Sequence, residues 1–247
     1  MMFGRKIPDK QASLLMLDIG DTNIAVELRP NSRAKRYILK LDSKQRRAIV
    51  TVPRGGTRKQ AIRFAQDQAQ WILERLGQLE EPIAFAPGNI IPLRDVPHTL
   101  VSTGKARGLA KQVLAQEPEL HISGSDEHFS RRVLDHLKKE ALGDYRKRVA
   151  EHARALNVKP SAIRLRDGKT RWGSCSSNGT LSFSWRLILA PPDTLNYLAV
   201  HEVAHLREMN HGAQFWAHVE TLCPDYETHR HWLREEGSGL WRYGIAT

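Results

Sequence analysis

The sequence predicts an α+β chain with a segregated antiparallel sheet, and three observations predict it. Short alternating runs near the N-terminus read as strands, and apolar residues recur every four positions from Phe129 to Ala153. A turn-bearing hairpin then precedes a histidine-rich helix and further C-terminal helices. Two regions are expected: 12–100, a basic β-meander with a helix and loops, and 101–247, a metal-binding region packed as one unit with the first. Residues before Ala12 read as a loose leader.

Each element has its own signal. Ile24, Val26 and Leu28 alternate with polar residues, as do Tyr37, Leu39 and Leu41, and Ile49 to Val52 runs into Pro53; three such strands in sequence suggest an antiparallel meander. Thr57 with Gln60 is a capping box, and Ala61, Ile62, Ala65, Ala69, Ile72 and Leu76 continue at helical spacing to Gly77. Prolines spread over 82–100 indicate loops and short strands, and 105–117 carries no clear period. The long helix starts near Ser125 and is ended by Asn157 and Pro160. Ile163 and Leu165 alternate with arginines as a strand. Asn178-Gly179 between two extended segments marks a hairpin that leads straight into the histidine helix, for which Asp193 is the expected N-cap. Phe215, Val219, Leu222 and Cys223 line another helix stopped by Pro224, and Tyr226 to Leu233 forms one more.

With 247 residues, 40% of them hydrophobic, the chain can bury a core and is not a disordered segment. Its apolar run at Leu14 to Leu17 is cut by Asp18, far short of the roughly 20 residues of a membrane span, so no membrane partner is expected. Cys175 and Cys223 make no disulfide framework and imply reduced thiols in the cytoplasm. The net charge is +11, and Arg29 to Arg63 supplies all of it, with twelve basic residues against Asp42. That segment is a possible contact for nucleic acid or another polyanion, or else a solvated face.

The chemistry sits in His201-Glu202-Val203-Ala204-His205, with His211 six residues on. Helical residues four apart lie about 40° apart around the axis and about 6 Å along it, so His201 and His205 can each aim one nitrogen at a single ion. His211 completes three ligands, the chain leaving the helix through Asn210 and Gly212, which tolerate left-handed backbone. Three ligands leave an open position, as in catalytic zinc sites. Glu202 then stands beside the ion as the proton carrier of the H-E-x-x-H arrangement. Metzincins share the third-histidine spacing but carry a glycine where this chain has Glu208, and no methionine follows Met209 to form their Met-turn.

Around that motif, Arg171-Trp172-Gly173-Ser174-Cys175-Ser176, Arg186-Leu187, Asn210-His211, Phe215-Trp216 and Cys223-Pro224-Asp225-Tyr226 closely resemble the YgjP-like family of zinc metallopeptidases. The likeness is specific over 158–233 and looser at Arg33-Ala34-Lys35-Arg36, Val52-Pro53-Arg54-Gly55 and 85–93. The resemblance implies a zincin-like catalytic domain with an active-site helix, distantly similar to SprT-like and WLM proteases. It also implies Zn2+ on His201, His205 and His211, Glu202 as general base, and a peptide or protein substrate added as a strand beside Trp172 to Cys175 or Leu181 to Arg186.

Weaker candidates surround this set. Trp172, Phe183 and Trp185 are expected in the core. Cys175 is expected as a buried thiol, with inhibitory metal ligation the alternative. Spacing does not choose an oxyanion-stabilising group among Arg171, Arg186, His218, Tyr226, His229 and His231. Two other functions remain open at this point: a metal-dependent hydrolase of nucleotides or phosphoesters, disfavoured by the lack of a glycine-rich phosphate loop, and a nucleic-acid-binding module with structural zinc, disfavoured by Glu202 and the three-histidine set.

Overall fold

A computed structural model describes residues 12–19, 22–42, 45–77, 81–168 and 171–244; the expected leader and Lys44 lie outside them. The chain divides into two compact units at Glu81/Pro82. The strands between 90 and 102, grouped by the sequence reading with the first region, therefore belong to the second.

In the first unit, strands β1 (Ser13–Ile19), β2 (Thr22–Asn31), β3 (Ile38–Asp42) and β4 (Arg47–Pro53) form one sheet in the order β1-β2-β4-β3. This corrects the expected three-strand meander. β1 is an additional strand, β4 lies between β2 and β3, and β2 runs parallel to β4. Burial explains the order. β4 places Ala48, Val50 and Val52 fully inside and keeps its other face half-covered, whereas β3 exposes Ile38 and Lys40, a pattern suited to an edge. The expected single helix is two, α1 (Arg58–Asp67) and α2 (Ala69–Gly77), broken at Gln68. The Thr57/Gln60 capping box forms as predicted, and Ala61, Ala65 and Ile72 close the core over Ile24, Val26, Leu28 and Val50.

Among the described residues the second unit holds two sheets and four α-helices. Strands β5 (Ile90–Leu93), β6 (Val96–Ser102), β7 (Lys111–Val113) and β8 (Glu119–Ile122) are ordered β5-β6-β8-β7, with β6 parallel to β8. Helix α3 (Phe129–Ala155) buries Phe129, Val133, Leu137, Ala141, Tyr145, Val149 and Ala153, the predicted four-residue series, and ends at Asn157 with φ 50°. Strands β9 (Ala162–Arg166), β10 (Gly173–Cys175) and β11 (Thr180–Ser184) follow in the order β10-β11-β9, so β10 is an edge. Gly179, at φ 77°, takes the left-handed turn position of the hairpin.

A 3₁₀ turn at 185–189 separates this hairpin from α4 (Pro192–Ala204), where a direct connection was expected. Helices α5 (Ala213–Leu222) and α6 (Tyr226–Glu235) and a last 3₁₀ turn at 237–242 complete the unit. Five of the eight strand pairs among the described residues are antiparallel, and helices and sheets are segregated along the chain, so the fold is α+β as predicted. No described helix is long and apolar enough to cross a membrane.

Candidate metal centre and cleft

Helix α4 is built to be buried. Leu195, Leu198, Ala199, Val200, Val203 and Ala204 are all inside, and α4 packs on α3, α5 and α6. Pro191 is its N-cap and Pro192 fills N1, where a missing N–H costs nothing. Asp193, the expected cap, instead lies within the first turn, where its charge still complements the helix dipole.

The helix stops at Ala204 with His205 as C-cap. Neither Asn210 nor Gly212 takes the left-handed backbone expected for the exit; among the described residues positive φ falls elsewhere. The chain turns through short bonds instead: Leu206 N–H to the Val203 carbonyl (3.0 Å), and Arg207 and Glu208 N–H to the Ala204 carbonyl (2.9 and 3.0 Å). Arg207 fastens this turn to the end of α3, its guanidinium donating to the Leu156 carbonyl at 2.6 and 3.0 Å.

That turn brings His211 back so that its Nε2 stands 3.1 Å from Nε2 of His201. One ligand atom from each of His201, His205 and His211 lies within 4.8 Å of the others. Two nitrogens bound at 2.0–2.1 Å to a tetrahedral zinc would be about 3.3 Å apart, so the donor set fits such an ion. The Nδ1–H of His205 donates to the Glu208 carbonyl at 3.0 Å, which leaves its Nε2 lone pair free. Burial, then the neighbouring His205 and His211, pushes His201 down to about 3, and burial lowers His205 as well, so both rings are neutral donors near pH 7. Phe215, fully buried, forms the floor: its ring centre is 5.0, 4.6 and 4.7 Å from those of His201, His205 and His211.

Glu202 is 3% exposed, and its Oε2 is buried without a partner. Burial pushes its carboxyl up to about 8, opposed by the nearby Arg171. The carboxyl lies against Gly173 of β10, where a Cβ would come within 2.3 Å of Oε1. An open cleft of about 610 Å³ includes this arrangement and is lined also by 171–175, Tyr197, Met209 and Arg230.

The other candidates are sorted by the fold. Arg171 lines the cleft. Arg186 does not: it is buried, bonds Asp167 (2.7 Å) and the Leu240 and Tyr243 carbonyls, and is stacked between Trp185 and Trp241. Phe183 and Trp185 are core, as expected, whereas Trp172 is half-buried, stacks on Trp241 and contributes to the cleft wall. Cys175 is also half-buried and lines the cleft, a correction to the expected buried thiol; it is not grouped with the three histidines. His218 and His231 are not among the cleft residues, and Tyr226 stacks on Trp216 and Tyr197. Cys223, Asp225 and His229 also converge, but the thiol and the imidazole each donate to a different oxygen of Asp225 (3.4 and 3.1 Å). That set is a satisfied hydrogen-bond triad between α5 and α6.

Sequence reasoning missed the parts played by Gly173, Phe215 and Tyr197. Tyr197, one helical turn before His201 and therefore on its face, could have been found by the same i, i+4 spacing.

No curated protein matches the chain. Among solved structures it is similar to the metallopeptidase zymogen abylysin of Pyrococcus abyssi, with 20% identity and TM-score 0.34 over 37% of this chain and 95% of that one. It is likewise similar to the metallopeptidase zymogen jannalysin of Methanocaldococcus jannaschii, with 23% identity and TM-score 0.31 over 35% and 93%. The model of the YgjP-like, metallopeptidase domain matches residues 35–236, most of the sequence, and the chain therefore belongs to the YgjP-like metallopeptidase family.

Proposed function

We propose that this chain is a zinc-dependent peptidase in which His201, His205 and His211 hold the ion and Glu202 moves the proton. Family membership supplies the coarse activity, a metallohydrolase that uses a divalent metal and acts on protein or peptide. The finer reading rests on one observation: three imidazole nitrogens converge beside a buried carboxylate that has no partner for one oxygen. An all-imidazole set with room for a fourth ligand favours zinc among divalent ions.

Bound there, zinc supplies Lewis acidity that polarises a carbonyl and acidifies water. Glu202 is placed to take a proton from that water and pass it to the departing amine, and its burial favours the protonated form it must adopt in between. An extended peptide fits as an added strand along the free edge of β10, since backbone pairing tolerates many sequences and would lay a carbonyl beside Glu202. Arg171 is the cleft cation whose charge opposes the upward shift of this carboxyl. The free thiols Cys175 and Cys223 support a reducing, cytoplasmic setting.

Elemental analysis of the purified chain should find about one zinc, and His211→Ala should lose most of it, because two ligands make a poor site. A peptide hydroxamate should inhibit hydrolysis of a mixed peptide library, and nucleotides should not compete. Full zinc occupancy in His211→Ala would remove that residue from the ligand set. Nucleotide turnover insensitive to the hydroxamate would replace the peptidase reading with a phosphoesterase.

A further inference from the structure

Folding sorts the described basic residues of the segment into a paired set, a set of six gathered by the loops at one end of the sheet, and Lys40 on β3 and Arg63 on α1, which are exposed elsewhere. Arg29 and Arg47 both bond the buried Glu27, and Arg46 pairs with Glu81 at 3.4 Å. These three arginines are held in ion pairs within the unit. Arg33, Lys35 and Arg36 in the β2–β3 connection, Arg54 in the β4–α1 turn, and Arg58 and Lys59 at the start of α1 are all exposed. None of these six is in an ion pair among the described residues.

The topology brings those six together. Because β2 and β4 are parallel, they finish side by side, with Asn31 opposite Pro53, and the loops that follow leave from the same end of the sheet. The loops are pressed against each other: the Tyr37 hydroxyl accepts from the Thr57 N–H at 3.1 Å and meets Gln60 Oε1 at 3.1 Å. At Gly56 even a Cβ would lie 2.6 Å from that hydroxyl. Between Glu27 and Asp67 the only acid is Asp42, which sits across from Arg47 at the opposite end of β4.

The charge at α1 also runs against local stability. A helix N-terminus favours acidic side chains by about 0.3–1 kcal/mol, yet the first turn of α1 has no acid and carries Arg58 and Lys59. The Thr57/Gln60 capping box satisfies backbone N–H groups there but brings no negative charge to offset these cations, and a local rule broken in this way is expected at functional sites. Here an anion would relieve both the helix dipole and the clustered cations. Six charges on three chain segments exceed what one phosphate needs and suit a polymer of phosphates. The Tyr37 ring packs on Phe64 and its hydroxyl is engaged, so base stacking has no free aromatic here. Contacts would fall on the backbone and tolerate any sequence.

We propose that this end of the first unit binds the phosphate backbone of a nucleic acid through Arg33, Lys35, Arg36, Arg54, Arg58 and Lys59. The site is independent of the peptidase reading and stands or falls separately from it. The test is fluorescence anisotropy of the full chain with a labelled short duplex DNA and a labelled RNA, across roughly 50–200 mM salt. Two triple variants, Arg33→Gln/Lys35→Gln/Arg36→Gln and Arg54→Gln/Arg58→Gln/Lys59→Gln, should each flatten the slope of log affinity against log salt by up to about three units. Each should also weaken binding about tenfold or more at the lower salt. The pair Arg146→Gln/Lys147→Gln, exposed on α3, should stay within about twofold. Thermal melting checks each variant, and if one triple fails to fold the other decides. No salt-sensitive binding by the wild type, equal loss per charge in the α3 pair, or tighter binding of polyglutamate than of either nucleic acid would each overturn the proposal.

Discussion

Two buried glutamates, one in each unit, are held in opposite ways. Glu27, 7% exposed on β2, is gripped by Arg29 and Arg47, and the Arg29 guanidinium holds its carboxyl below the usual range despite burial. Glu202, 3% exposed on α4, has an unpartnered oxygen, and burial pushes it up to about 8. Burial of a carboxylate is costly unless hydrogen bonds or charges offset it. The first unit satisfies its glutamate internally, as a structural group requires. The second leaves one oxygen of its glutamate without a partner at the lining of the cleft, at some cost to the fold.

The largest expected effect comes from Glu202→Gln. The amide keeps the shape and removes the carboxylate proposed to carry the proton, so on that proposal kcat for peptide hydrolysis should fall by about three orders of magnitude or more while metal content is unchanged. Hydrogen exchange of the metal-free variant near pH 7 should show α4 about as protected as in the wild type, since burial already favours the neutral, protonated carboxyl there and a neutral amide replaces it. Activity that survives the substitution would make Glu202 another structural group and erase the contrast with Glu27.

Gly173→Ala sharpens the same contrast from the neighbouring strand. A Cβ there would stand 2.3 Å from Glu202 Oε1, so either the carboxyl or β10 must shift. A displacement near 1 Å at a reacting group costs on the order of 100-fold in rate. The expected outcome is about a 10–100-fold loss in kcat/KM with zinc retained. Wild-type kinetics in this variant would mean that Glu202 does not act from the position it occupies.

How much of this was legible in the sequence follows from how local each feature is. The histidine helix and the α3 series Phe129 to Ala153 were legible because helical geometry ties residues four apart to one face. The capping box at Thr57 was legible because its reciprocal bonds join residues at a fixed offset of three. The order of the first sheet was not, because parallel pairing of β2 with β4 depends on which strand has two faces to cover, a tertiary fact. Phe215 reads in sequence as one more apolar residue of α5; only the fold places it under three imidazoles. The basic run looked uniform as a string. Its division into paired arginines around Glu27 and Glu81 and an unpaired cluster elsewhere needed the contacts.

The smallest effect, and the one that tests the other side of the comparison, is Glu27→Gln. Removing the charge leaves Arg29 and Arg47 facing a neutral amide and should destabilise the first unit by about 1.5–3 kcal/mol, as for other hydrogen bonds to charged groups. The sign with pH follows from the direction of the shift. A carboxyl whose folded pKa lies below its unfolded value contributes stability that is present above the unfolded value, near 4.5, and is lost as pH falls through the folded value. Hydrogen exchange at β2 and β4 amides should therefore accelerate in the wild type as pH drops below about 4.5, after correction for intrinsic exchange, and this acid sensitivity should shrink in Glu27→Gln. Peptide hydrolysis at neutral pH should be untouched, because Glu27 lies in the other compact unit from the cleft residues. An unchanged acid profile in Glu27→Gln would show that the three-residue cluster on β2 and β4 carries no net stability, and that the satisfied glutamate is as dispensable to folding as the unsatisfied one.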